Sequence, residues 1–185
     1  MKKLLIIFLI YISFTKADAQ EYELINQIIT PFEEDNPISV DSIYLNNKFI
    51  PLGKEYLKVE NLNEETIRFW WNNSSYKAPV ELFLKNFNLS HLKSELLKTK
   101  NDSIIDFKKL NTYFIKIDKE FTKNNPKKKY LSISQPFFNC QKNWCFIVKS
   151  EFIPYTYTGG NKLMYIYVKV DNIWILYSIL NLSVS

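Results

Sequence analysis

The chain has 185 residues, with 24 lysines and arginines against 19 acidic residues and a formal charge of +5. Its three glycines cannot build a glycine-rich phosphate loop, and two cysteines with a single histidine fall short of a structural zinc site. The positive excess is too mild for a nucleic-acid-binding chain, and no motif calls for a cofactor.

The first residues predict export. Lys2-Lys3, the apolar run Leu4 to Phe14 and the small-residue site Ala17-Asp18-Ala19 are the three parts of a Sec-type signal peptide. The apolar run is too short to make a good membrane span. Cleavage is expected after Ala19, which leaves a chain starting at Gln20 with no membrane span. Its charge is about +3, because Lys2, Lys3, Lys16 and Asp18 are removed. The expected destination is the periplasm or the cell exterior.

Residues 20–185 are read as one α+β domain, helical over about 20–100 and sheet-forming over about 112–185. Leu24, Ile25, Ile28 and Ile29 form a helical stripe that Pro31 ends. The acidic run Glu33-Glu34-Asp35 before Pro37 reads as a solvated turn. Between Ile38 and Leu57 the pattern is weak, and Ile43 to Leu45 and Lys48 to Leu52 fit either short strands or loop. A helix is expected from a cap at Asn61, with Glu64 three residues on, to about Trp71.

Pro79 opens the next helix, whose Val80, Phe83, Leu84 and Phe87 repeat at i, i+3, i+4 and i+7. Ser90 is expected to cap a shorter helix carrying Leu92, Leu96 and Leu97, with His91 exposed in its first turn. Ile104 to Leu110 fits a strand or a short helix. Tyr113, Ile115 and Ile117 alternate as a strand does. Lys119 to Tyr130, with Lys127-Lys128-Lys129, reads as a polar connector.

The last third, Leu131 to Ser185, predicts an antiparallel meander of four strands. A two-residue loop at Asp171-Asn172 sets Val170 opposite Ile173, Val168 opposite Ile175 and Ile166 opposite Tyr177, apolar against apolar. Cys140 opposite Cys145 would set Phe137 against Val148 and Ile133 against Phe152. That pairing suits a cross-strand disulfide in an exported chain. The middle hairpin needs a three-residue loop or a bulge near Pro154, because Gly159-Gly160 alone would put Phe152 on the wrong face from Val168. The second face of the sheet carries Tyr165, Tyr167, Trp174 and Leu176. It is either covered by a further layer or open as an aromatic binding face.

Residues 107–185 resemble a set of uncharacterised exported proteins of Gram-negative bacteria. The resemblance rests on Ser134-Gln135-Pro136-Phe137-Phe138, Phe146 to Phe152, Gly159-Gly160, Leu163 to Val170 and Asn172-Ile173-Trp174. It implies a C-terminal meander and no assigned activity. The family places cysteines around the glycine turn, so no role for Cys140 or Cys145 carries across.

The expected function is non-catalytic binding of a protein or carbohydrate after export. The candidate contact residues are Trp70, Trp71, Tyr155, Tyr157, Tyr165 and Tyr167, and no residue is assigned to a metal. The alternatives are a small secreted hydrolase using two carboxylates among Asp102, Asp106, Glu120 and Glu151, or a periplasmic inhibitor or immunity-type protein.

Overall fold

A computed structural model describes residues 21–29, 44–52, 57, 59–74, 78–98, 103–111, 114–124, 130–152 and 161–182. The signal segment, the acidic run 33–35, Tyr113, the lysines 127–129 and the turn 153–160 lie outside these residues.

The strands of the last third belong to a mixed sheet that is larger than the expected meander. Strands β3 (Tyr130–Ile133), β5 (Trp144–Phe152), β6 (Lys162–Val170) and β7 (Ile173–Asn181) are antiparallel in turn, with β4 (Phe137–Phe138) also pairing with β5. Two short strands extend the sheet beyond β3. They are β1 (Tyr44–Asn46) and β2 (Ile115–Ile117), and β1 runs parallel to both β2 and β3. The fold is α+β on a mixed seven-stranded sheet in the order β2-β1-β3-β5-β6-β7. This corrects the expected division into a helical N-terminal half and an antiparallel C-terminal half. β1 belongs to the sheet although it lies among the N-terminal residues, and a strand of three residues is too short to show a period.

Helices pack on both faces. On one face lie α2 (Glu64–Asn72), α3 (Val80–Asn86) and α4 (Leu89–Lys98). Their Ile67, Trp71, Phe83, Leu92 and Leu96, with Phe87 at the end of α3, meet Phe146, Val148, Met164, Ile166 and Leu180 of the sheet. On the other face lies α1 (residues 21–29). Its Leu24, Ile25, Ile28 and Ile29 cover Ile133, Cys145, Ile147, Tyr165, Tyr167 and Trp174, together with Phe49, Ile105 and Phe114. The sheet therefore separates two cores. Central strands can be apolar on both faces because each face has its own cover.

Side chains tie the second layer down. The Asp106 backbone N–H donates to the Tyr22 hydroxyl at 2.6 Å. The Asn26 amide donates to the Lys109 carbonyl at 3.1 Å and accepts from the Asn111 N–H at 2.8 Å. Helix α1 is thus pinned to residues 103–111, which form a bridge between Ile104 and Lys48 and a 3₁₀ turn Phe107–Lys109. The expected polar connector contains helix α5 (Lys119–Asn124), capped by Asp118, whose carboxylate accepts from the Phe121 N–H at 2.9 Å.

Two expected helix caps move. Asn63, not Asn61, caps α2, with Oδ1 accepting from the Thr66 N–H at 2.8 Å, while Asn61 closes a 3₁₀ turn. Asn88, not Ser90, caps α4, accepting from the N–H groups of Ser90 and His91. In each case the asparagine carboxamide reaches the orphan N–H groups of the first turn.

The first hairpin turns one residue earlier than cysteine pairing required, with a loop of the same length, so its register shifts by two. Phe137 pairs with Phe146 and Phe138 with Cys145, while Ile133 sits opposite Lys149 and shares the α1 face. Asn139 sets this register. Its N–H donates to the Trp144 carbonyl at 3.0 Å, and its Oδ1 accepts from the N–H groups of Asn143 and Trp144, both at 3.1 Å. Lys142 takes a positive φ of 54° in the four-residue loop 140–143. The change of phase between β3 and β4 is sealed by Ser134. Its N–H donates to the Val148 carbonyl at 2.8 Å, and its Oγ accepts from the Val148 N–H at 2.9 Å.

The disulfide is therefore corrected: both cysteines are free, Cys140 exposed in the loop and Cys145 buried across from Phe138. Burial pushes the Cys145 thiol well up from its ordinary value. In the folded chain one thiol, Cys140, should react with a thiol reagent within minutes. Cys145 should react only after denaturant is added, which a mass-resolved alkylation time course reads directly.

In the last hairpin Val170 pairs with Ile173 and Val168 with Ile175, as expected, across a turn in which Asp171 and Asn172 take φ of 49° and 65°. Ile166 pairs with Ser178, however, because Tyr177 is the extra residue of a bulge. The bulge keeps the Tyr177 ring on the helix side, 4.7 Å from the Trp144 ring centre, with its hydroxyl donating to the Pro79 carbonyl at 2.7 Å. It also turns Ile179 to the α1 face, against the simple alternation. The register between β5 and β6, with Val148 opposite Met164, has the parity that a three-residue loop or a bulge gives.

Candidate functional site

The structure separates the six residues expected to form a contact face. Trp71, Tyr165 and Tyr167 are each no more than 5 % exposed. Trp71 sits under α2 with its indole N–H donating to the Ala78 carbonyl at 2.6 Å, its ring near Phe83 and Tyr177. Tyr165 and Tyr167 lie in the opposite core, beneath α1. These three are corrected from contact residues to core residues, because the second face of the sheet has its own cover. Trp70 is half-buried against the α2–α4 core, and Tyr155 and Tyr157 lie outside the described residues.

Burial of the tyrosines has a measurable consequence. The Tyr167 hydroxyl is pushed far above its ordinary value of 10.0 by burial, and further by Tyr165 and Cys145 beside it. The folded chain holds this proton more tightly than the unfolded chain does. The resulting stability is fully present below about pH 10 and falls as pH rises towards the folded value. Urea denaturation between about pH 8 and about pH 11.5 should show that decline, and Tyr167→Phe should reduce its slope.

Two of the four acids considered for hydrolysis, Asp106 and Glu151, have structural tasks. Asp106 caps the 3₁₀ turn through the Lys108 N–H at 3.1 Å and lies 4.0 Å from the Lys109 ammonium. Glu151 pairs with Lys149 at 3.3 Å. Glu120 is exposed on α5, in an open groove with Lys116, Asp118, Phe121 and Asn124. Asp102 lies outside the described residues. Among the described residues, no three histidine, cysteine or acidic side chains gather to hold a metal. His91 is half-buried on α4.

A second open groove, about 570 Å³, runs along α2 between Glu64, Glu65, Arg68, Phe69 and Asn72. Arg68 fills its polar side, bonded to Glu64 at 2.8 Å and to Glu81 of α3 at 3.0 Å. Those two carboxylates hold the guanidinium above its ordinary value. Glu81 is lowered, first by its own backbone N–H and then by Arg68. This trio clamps α2 to α3 at the surface and, among the described residues lining the groove, leaves no cation free for a ligand.

What the fold leaves open is the far end of the last hairpin. Val170, Ile173 and Ile175 are 46 %, 63 % and 48 % exposed. The pairing of Val170 with Ile173 and of Val168 with Ile175 puts all four on the face that α2–α4 cover elsewhere. Cover is therefore lost at this end of the sheet. The neighbouring loop 140–143 lies at the same end, since the Lys169 N–H donates to the Asn143 carbonyl at 2.8 Å. Among the described residues β7 is the last strand of the sheet, and residues 173–181 carry no charged side chain. The shared parity of these isoleucines was visible in the sequence; their exposure was not.

Comparison of the chain with known protein families, curated proteins and solved structures returns no match. Among the described residues no helix is long and apolar enough to cross a membrane.

Proposed function

We propose that this chain acts after export as a non-catalytic binding protein, and that it contacts a protein partner through the open end of the β6–β7 hairpin. The observation that carries the reading is the exposure of Val170, Ile173 and Ile175 together on an uncharged edge strand. Exposed aliphatic groups at Ile173 and Ile175, beyond which no described strand lies, suit a protein segment, which supplies both apolar side chains and backbone hydrogen bonds. They do not suit a carbohydrate, for which stacking rings would be needed, and Trp71, Tyr165 and Tyr167 are buried. Export is supported by the signal-like residues 1–19, and the resemblance of residues 107–185 to exported Gram-negative proteins agrees with it.

The reading has two tests. N-terminal sequencing of the chain recovered from the periplasm or medium should begin at Gln20; a chain retained in the cytoplasm and starting at Met1 overturns export. A folded Ile173→Lys, Ile175→Lys variant should lose, by about tenfold or more, the partner that the unchanged chain retains in crosslinking. Equal retention by both proteins overturns the proposed surface.

A further inference from the structure

We propose that the partner of the open β7 edge is a second copy of this chain, paired antiparallel about a two-fold axis at Ile175. The inference rests on the surface identified above, not on export.

β7 is half covered and half open. Towards its C-terminal end the Asn181 N–H donates to the Ser74 Oγ at 3.0 Å, and the Tyr177 hydroxyl donates to the Pro79 carbonyl. Ser74 therefore occupies the edge at Asn181, while the Tyr177 contact lies on the helix face. Residues 173–176, before the bulge, have no strand beyond them among the described residues. Val170 and Ile173 close the hairpin, so the backbone groups of Ile173 and Ile175 point towards β6, and those of Trp174 and Leu176 point outward. The Lys169 N–H, bonded away from β7 to Asn143, agrees with that alternation.

A strand that adds to this edge must bond to positions 174 and 176 and bury the exposed isoleucines. A second β7 does both. With the axis at Ile175, Trp174 of each copy pairs with Leu176 of the other and exchanges backbone hydrogen bonds. Ile175 then lies directly opposite Ile175, at a non-hydrogen-bonded position where side chains are closest. The pairing is isologous and closes at two copies. It brings no like charges together along the seam, although the chain is formally +5. The register also sets Asp171 of one copy opposite Ile179 of the other. Each turn thus stops short of Asn181, whose edge Ser74 already occupies. Three half-exposed aliphatic side chains and a four-residue edge bury well under the ~800 Å² per partner of a stable complex. The dimer is therefore reversible, forming between about 10 µM and about 1 mM, and is not obligate.

Sedimentation equilibrium from about 5 µM to about 1 mM should show the mass rising from one chain towards two. Ile175→Lys puts like charges on the axis and should weaken association about tenfold or more. In a Cys140→Ser background, Ile175→Cys should form a disulfide-linked dimer under mild oxidation at least roughly tenfold faster than Leu97→Cys, placed at a 71 % exposed position on α4. The cysteine pair keeps the test decisive even where the lysine variant fails to fold. A single-chain mass at every concentration, an association that Ile175→Lys leaves unchanged, or equal crosslinking at positions 175 and 97 would overturn the dimer. A single-chain mass alongside a heterologous partner lost in the Ile173, Ile175 variant would sink this inference alone and leave the binding reading standing.

Discussion

Phe146→Ala should lower the stability of the folded chain by about 3–5 kcal/mol, the largest effect of any single truncation considered for this fold. Phe146 is fully buried in β5, opposite Ile166 on one side and Phe137 on the other. Its ring stacks on Phe137 at 5.2 Å and lies 5.8 Å from Phe87, which closes α3. Truncation removes one of the contacts through which the sheet and the helical layer meet. The site cannot collapse, because its neighbours are held by a central strand. At about 2–4 °C per kcal/mol for a chain of this size, the melting temperature should fall by roughly 6–20 °C. Phe146→Leu, which keeps most of the volume, should recover more than half of the loss. Equal stability of Phe146→Ala and the unchanged chain in urea would place that ring outside the core.

Asn139→Ala should cost about 2–4 kcal/mol, although the side chain contributes little apolar area. Its Oδ1 accepts from two backbone N–H groups, and its Nδ2 donates to the Asn143 Oδ1 at 2.8 Å and towards the Asn86 carbonyl at 3.4 Å. One of the N–H groups belongs to Trp144, which is buried. Its loss leaves a buried donor without this partner, and burying an unmet donor is costlier than a typical bond is stabilising. Asn139→Asp keeps the acceptor and should retain roughly half of the stability. Hydrogen exchange should localise the alanine effect to residues 137–146. Uniform loss of protection over all strands, with none of it concentrated there, would contradict a local role for Asn139.

How much of this was legible before the tertiary structure depends on the range of each interaction. The stripes of α1 and α3 could be read because a helix repeats within one turn. The last hairpin could be read because two glycine-free turn residues, Asp171 and Asn172, fix which positions face each other. The register of the first hairpin was misread because an asparagine, not a cysteine, closes it. One carboxamide bonding four groups leaves no trace in hydrophobic periodicity. The caps slipped for the same reason: Asn61, Asn63, Asn88 and Ser90 are all plausible cap residues, and only the backbone decides which one reaches the N–H groups. The contact residues were misplaced because the cover over Tyr165 and Tyr167 comes from α1 and residues 103–114, far away along the chain.

By itself the sequence determined the alternation of β5, of β6 and of β7 up to its bulge, the helical faces that pack on them, and the scarcity of groups able to bind phosphate or zinc. Those properties reside in neighbouring residues and in counts of residue types. Only the tertiary structure decided that β1 and β2 join the sheet in parallel, that Cys140 and Cys145 stay apart, and that the isoleucines at the hairpin tip are left uncovered. Each of these depends on which distant segment arrives at a given face, and burial is a property of that meeting, not of the residue.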